Sequence, residues 1–352
     1  MKTHKLLPPT SSNRANLNKL TEEITIIGGG LTGLSLAIGL RGNGIPVTLH
    51  EAGHYPRHRV CGEFISGVSE STLETLGITC ALADAARHST VSWFRGNALL
   101  RENRLPSPAL AISRHLLDDR LRKLATSVEA SIHTGSRQKI SPHIPGTVWA
   151  AGRKPVNGEW IGLKAHLRGF ETTSHLEMHS GPNGYLGITP IEDGWFNVCG
   201  LFRIDRTITA RHADLLPAYL SENGNCYLAA RLASAEWKPG SFTAVAGFDL
   251  GLQAPTPGVL ALGDSHAIIP PFTGNGMSMA FQSAEISLPH LTRYAKDETD
   301  WKCTCAAIYA THRKTFRKRL TAAKLIHPLL FENAARPLLK HAPLTPILNL
   351  IR

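Results

Sequence analysis

Two clusters of residues in this chain have the types and spacing to do chemistry on a large anionic cofactor. The first is Gly28, Gly30 and Gly33, followed by an acid, Glu51. The second lies more than two hundred residues downstream in "GVLALGDSHAIIPPFTGNGMSMAF", with Asp264, His266, Gly274, Asn275 and Gly276. Glycines at the start of a helix let a ligand approach bare backbone N–H groups, and the helix dipole favours negative charge there. A carboxylate at a strand end accepts hydrogen bonds from hydroxyls. Together these residues suit a ligand with phosphates and sugars.

Around the first cluster, "EITIIGGGLTGLSLAIGLRGNGIPVTLHE" reads as strand, helix and second strand. "ITII" is a β-branched run typical of a buried parallel strand. Gly28 permits the tight turn, Gly30 admits a pyrophosphate to the backbone, and Gly33 lets helix and strand pack closely. Glu51 closes the second strand, where its carboxylate accepts from the two ribose hydroxyls of an adenosine. It would repel a 2′-phosphate, which disfavours free NADP here. FAD or NAD is therefore expected. NAD needs no second Asp-ended strand so far downstream, whereas an extended FAD does. Asp264 suits the ribityl hydroxyls, and the N–H groups near Gly274, Asn275 and Gly276 would meet the flavin pyrimidine edge.

With these motifs in place, "GDSHAIIPPFTGNGMSMAFQSAE" resembles the second cofactor motif of the para-hydroxybenzoate hydroxylase superfamily. That superfamily contains the flavin-dependent aromatic hydroxylases and the geranylgeranyl reductases. "RVCGEFIS" (59–66) is similar to the Cys-Gly segment of the reductase-like flavoproteins, and "ISRHLLDDRLRKLA" (112–125) to a helix whose arginine lies near the FAD phosphates. The resemblance runs from about Glu23 to Pro289. It implies that Arg114 binds FAD, that the chemistry is centred on the flavin with His266, Cys61 and Tyr185 as candidate catalytic residues, and that NADPH or NADH supplies electrons.

The sequence also departs from that pattern. In "VWAAGRKP" (148–155), Ala151 stands where the hydroxylases carry an Asp beside Gly152 and Arg153. In "GYLGITPIEDG" (184–194), Tyr185 and Pro190 match the reductases, but Gly187 and Thr189 replace two aromatics. His266 is the residue common in the hydroxylases. The Trp-x-Trp-x-Ile-Pro signature of flavin halogenases is absent.

The elements that must position these residues follow. The expected fold is α/β: a Rossmann-like FAD-binding domain of para-hydroxybenzoate hydroxylase type, an inserted mainly β substrate domain, and a helical C-terminal tail. The expected boundaries are a disordered leader at 1–20, a discontinuous FAD domain at 21–158 and 240–295, a substrate domain at 159–239, and a basic helical region at 296–352. Alternating runs between 159 and 203 read as antiparallel strands with turns at Gly169, Asn183–Gly184 and Asp193–Gly194.

The chain has 352 residues, 42% of them hydrophobic and 18% charged, which is a globular composition. The start lacks the apolar core of a signal peptide, and six cysteines without framework spacing fit a reducing cytoplasm. The net charge is +11, and ten basic residues against Glu332 alone lie between Trp301 and Arg352. That region reads either as a solvated cap on the FAD domain or as an interfacial helix on the inner face of the membrane, near a lipophilic substrate. No recognition motif accompanies the charge, so nucleic acid is not an expected partner. His175 and His179 with Glu177, and His54 with His58, lie in strand or loop contexts, and no metal is expected.

The leading functional expectation is an FAD-dependent monooxygenase hydroxylating a small hydrophobic, aromatic or polyketide-like molecule in secondary metabolism. The alternatives are an FAD-dependent reductase of isoprenoid double bonds and a flavin-binding protein without turnover.

Overall fold

The computed structural model describes residues 21–331 apart from Pro155 and Ser174. The expected leader at 1–20 and the end of the basic region, 332–352, lie outside the described residues.

The β-branched run β1 (Ile24–Ile27) is central in a five-stranded parallel sheet. Its neighbours are β2 (Val47–His50) and β7 (Thr147–Trp149). The outer strands are β6 (Ser131–His133) beside β2 and β15 (Leu260–Ala261) beside β7. Helix α1 (Leu31–Gly42) follows β1, and every residue from Leu31 to Leu40 is buried. Such all-round burial needs cover on both faces. The sheet lies on one side, and α3 (Arg114–Ser127) and α6 (Gly276–Ala295) lie on the other. Gly28 has φ +113°, and a Cβ there would strike the backbone of Ala150. A Cβ on Gly33 would strike the Gly28 carbonyl. The turn and the close packing expected of these two glycines are both present.

The second layer is a nine-stranded sheet. Its order is β12 (Glu236–Trp237), β8 (Trp160–Arg168), β11 (Phe196–Arg203), β10 (Gly184–Pro190), β9 (Leu176–Gly181), β4 (Ala86–Arg95), β5 (Ala98–Ala111) and β3 (Phe64–Ile65). β13 (Thr243–Ala246) also pairs with β8. The turns expected in 159–203 connect these strands. Segments 64–65, 86–111 and 243–246, which the sequence places with the FAD domain, pair into this same sheet. They do so because β4 pairs with both β9 and β5, and β13 covers the open side of β8.

Alternation gives this sheet two different faces. Leu163, Ala165, Leu186, Ile188, Val198 and Phe202 pack against α4 (Leu215–Glu222) and α5 (Cys226–Ala233). On that side Glu177 and His179 form an ion-paired cluster with Arg231. The opposite face looks toward the parallel sheet across a cavity. β14 (Gly251–Leu252) pairs with β16 (Ala267–Ile268), whose Ile268 reaches the cavity, and α2 (Glu70–Thr75) packs on α6.

Helix α7 (Trp301–Ile326) begins at Asp300, whose carboxylate accepts from the Cys303 N–H at 2.8 Å. One side of the helix is buried on α6. The short turn after it brings His327, Leu330 and Phe331 against Tyr185 and Phe272. The described part of the basic region is thus a packed cap on one side.

Candidate functional site

A single cavity of about 700 Å³ runs between the two sheets. Its first end is formed by the turn after β1, the end of β2 and the loop after β6. Gly28, Gly30, Glu51, Ser136, Arg137 and Gln138 line it. A Cβ on Gly30 would meet nothing within 4 Å, so the space beside this backbone is left open by the fold itself. The Glu51 carboxylate accepts from the Gly29 N–H (2.8 Å), the Gly53 N–H (2.8 Å) and Arg57 (2.7 Å). Burial pushes its pKa up. The Gly53 N–H, Arg57, Arg59 and the Gly29 N–H outweigh this and hold it below the ordinary range.

At the middle of the cavity stand Arg57, Arg59 and Arg114. Arg114 opens α3, which is capped by the Ser113 hydroxyl. Its guanidinium bonds both oxygens of buried Asp118, at 2.7 and 2.9 Å, and Arg59 shares that carboxylate at 2.9 Å. Three guanidinium groups thus face two carboxylates, Glu51 and Asp118. The surplus positive charge lies beside the open backbone of Gly30, an arrangement that fits a diphosphate. Asp264 opens into the cavity from the turn after β15. Its side chain is open to that space, and the surrounding protein pushes its carboxyl pKa up against the pull of Arg114, Arg153 and Arg59.

The wall between the middle and the far end is the segment Cys61–Glu63. Three adjacent strands of the large sheet each hold one of its residues. Asn197 of β11 donates to the Cys61 carbonyl at 2.9 Å. Thr189 of β10 donates to the Gly62 carbonyl at 3.2 Å. His166 of β8 bonds the Glu63 carboxylate at 2.6 Å. Lys164, also on β8 and fully buried, lies 3.3 Å from Glu63 and 3.1 Å from the His58 ring. Burial raises the pKa of Glu63, but His166 and Lys164 pull it below the ordinary range. Burial lowers that of Lys164. Glu63 sits at φ +53°, a left-handed conformation unusual outside glycine, and these bonds hold it there.

The far end is apolar. Trp93, Met178, Tyr185, Leu201, Phe248 and Phe272 form its sides, with Gly187 and Cys199 between them. A Cβ on Gly187 would meet no atom closer than 3.8 Å. The glycine therefore leaves room above the sheet.

Of the residues expected from sequence, Gly28, Gly30, Glu51, Cys61, Arg114, Tyr185, Asp264, Gly274 and Gly276 all line this one cavity. Gly33 serves packing. Three expectations change. His266 does not face the cavity, because its ring packs on Tyr309 and His312 of α7, with centroids 5.4 and 5.3 Å away. Asn275 is fully buried and its N–H donates to the Thr273 hydroxyl at 3.3 Å, while the Gly274 N–H donates to the Pro271 carbonyl at 3.0 Å. Of the three N–H groups expected to face a ligand, these two are already engaged. Gly274 serves a steric end instead: it has φ +67°, and a Cβ there would strike the Phe64 ring. Tyr185 is a wall. Its hydroxyl accepts from the Phe272 N–H at 3.0 Å, and burial pushes its pKa up. Burial likewise pushes up the Cys61 thiol.

Arg57, Arg59, Glu63, Lys164, His166 and Asn197 were not anticipated. The first three share the "RHRVCGEF" stretch with Cys61, and "GLKAHL" places Lys164 and His166 two apart on one face of an otherwise apolar strand.

Residues 2–91 match the model of the pyridine nucleotide-disulphide oxidoreductase family. A menaquinone reductase of Mycobacterium tuberculosis is 25% identical over 310 residues, covering 75% of each chain. Among solved structures, the flavin-dependent brominase Bmp2 is similar with TM-score 0.73 and 17% identity, covering 94% of this chain and 93% of that one. PqsL, a probable FAD-dependent monooxygenase from Pseudomonas aeruginosa, is similar with TM-score 0.69 and 14% identity, covering 90% and 99%. These likenesses show the fold, an α/β one shared with the similar flavoprotein structures.

Proposed function

We propose that the protein is an FAD-dependent monooxygenase that hydroxylates an apolar aromatic or polyketide-like small molecule. The observation that carries this reading is the far end of the cavity. It is continuous with the cofactor cradle and walled by Trp93, Tyr185, Phe248 and Phe272, and it is open above Gly187. Tyr185 is committed to a backbone N–H, and the Cys61 thiol is held neutral. These side chains bind and orient a flat apolar molecule and exclude water. His266 supplies no support, since it faces α7.

Bound FAD would supply the redox chemistry, with two electrons from NAD(P)H and one atom of O₂ going to the substrate while the other leaves as water. The chain's own residues do the holding. Glu51 accepts from ribose hydroxyls, Arg57, Arg59 and Arg114 face the diphosphate, and Asp264 accepts from the ribityl chain. Cys61 and Gly62 are fixed by Asn197 and Thr189 beside it.

A second reading, reduction of a quinone or isoprenoid, is favoured by the similarity to the menaquinone reductase. The two separate on oxygen. Binding of phenolic ligands should perturb the flavin spectrum and stimulate both NAD(P)H oxidation and oxygen uptake, with hydroxylated product in mass spectrometry. If reduced enzyme instead hydrogenates an isoprenoid or quinone anaerobically and no phenolic ligand stimulates oxygen uptake, the monooxygenase reading fails.

A further inference from the structure

Helix α7 divides sharply around its axis. At 100° per residue, Ile308, His312, Phe316, Leu320 and Ala323 fall on one side, and all are buried. Arg313, Lys314, Arg317, Lys318, Lys324 and Leu325 fall on the other, and all are exposed. Between Trp301 and Phe331 the sequence has seven Lys and Arg and no Asp or Glu. None of the five outward cations forms an ion pair among the described residues, whereas buried Arg319 bonds Gln282 at 2.8 Å. A helix that only caps a domain needs a polar outer face. It needs neither one sign of charge throughout nor an exposed leucine.

Leu325 is 70% exposed and Leu252 68%, the two highest values for large apolar side chains among the described residues. Their near neighbours in sequence, Ile326 and Leu250, pack into the apolar cluster that contains Tyr185 and Phe272. The cationic face therefore ends in an apolar tip beside the wall of the substrate end.

We propose that the outward face of α7 docks on an anionic phospholipid surface, with Leu325 entering the headgroup layer. The cations answer the surface charge. An apolar side chain at the edge of the patch gains from the acyl boundary and would gain nothing from a nucleic-acid backbone. This inference goes beyond the flavin chemistry and does not depend on it.

The test is co-sedimentation of the full-length holoprotein with vesicles of phosphatidylcholine alone or of phosphatidylcholine with phosphatidylglycerol. Binding is expected only to the vesicles with phosphatidylglycerol and should be released at high salt. Lys314→Glu, Arg317→Glu and Lys318→Glu together should weaken it by more than about a hundredfold, as loss of each surface charge costs roughly fivefold. Leu325→Ser should weaken it several-fold with the salt dependence kept. The melting temperature should be unchanged in both variants, since every altered residue is exposed. No binding to anionic vesicles at low salt would overturn the proposal, as would binding indifferent to the triple reversal. Retention on duplex DNA by a protein that ignores the vesicles would also overturn it, in favour of a nucleic-acid surface.

Discussion

Gly187 faces the apolar end of the cavity between Met178 of β9 and Cys199 of β11, its paired neighbours. Any side chain added there grows into the space where a substrate must lie. Gly187→Leu should keep FAD, because the cradle lies at the other end. It should weaken substrate binding roughly tenfold or more, as overpacking costs about 1–3 kcal/mol. Titration of a ligand against the flavin spectrum measures this, and unchanged affinity would place the substrate elsewhere. The sequence makes Gly28, Gly30, Gly33 and Glu51 legible because their spacing is local and its physics is fixed. It hides Lys164 and His166. Alternating polar residues in a strand look like a solvated face, and only Glu63, about a hundred residues upstream, turns that face inward. His266 misled for the converse reason: its neighbours in sequence line the cavity, but its ring turns toward α7.

At the scale of elements, β8, β11 and β10 act together on the Cys61–Glu63 wall. Lys164→Met would leave the buried Glu63 carboxylate without its cation. Breaking a buried pair in this way costs about 3–5 kcal/mol, which chemical denaturation should show as a lower midpoint. The double variant Lys164→Met with Glu63→Gln leaves no stranded charge and should recover part of that loss. A single variant as stable as the parent would show that Lys164 is dispensable to the wall. The strands themselves were readable from alternation between 159 and 203. Membership of the sheet was not, because β4 (with β5 as its hairpin partner) and β13 join it through pairings between segments far apart in the chain.

Over the whole molecule, buried histidines set the response to acid. Burial lowers the pKa of His312 to about 4, and His327 is likewise lowered to about 4. In the unfolded chain each would titrate near 6.5. Between these values the unfolded state binds more protons, so the contribution of these two histidines to stability is full above pH 6.5 and is lost as the pH falls toward 4. His327→Phe keeps an aromatic ring among Trp160, Tyr185 and Phe331 and removes one such proton site. Its denaturation midpoint should fall less between pH 7.5 and pH 5 than that of the parent. An equal fall would mean that His327 does not contribute.

The strand order β15-β7-β1-β2-β6 has a consequence for biosynthesis. Among the described strands of that sheet β1 is made first and is central, and β15, which delivers Asp264, is the last to be added. A chain emerging from the ribosome presents the adenosine end of the cradle early but cannot close the flavin end until α6 is also free. Tight capture of FAD would thus wait until the chain through α6 has emerged. A cofactor that binds only the native state stabilises it by mass action, so added FAD should raise the denaturation midpoint of the folded chain.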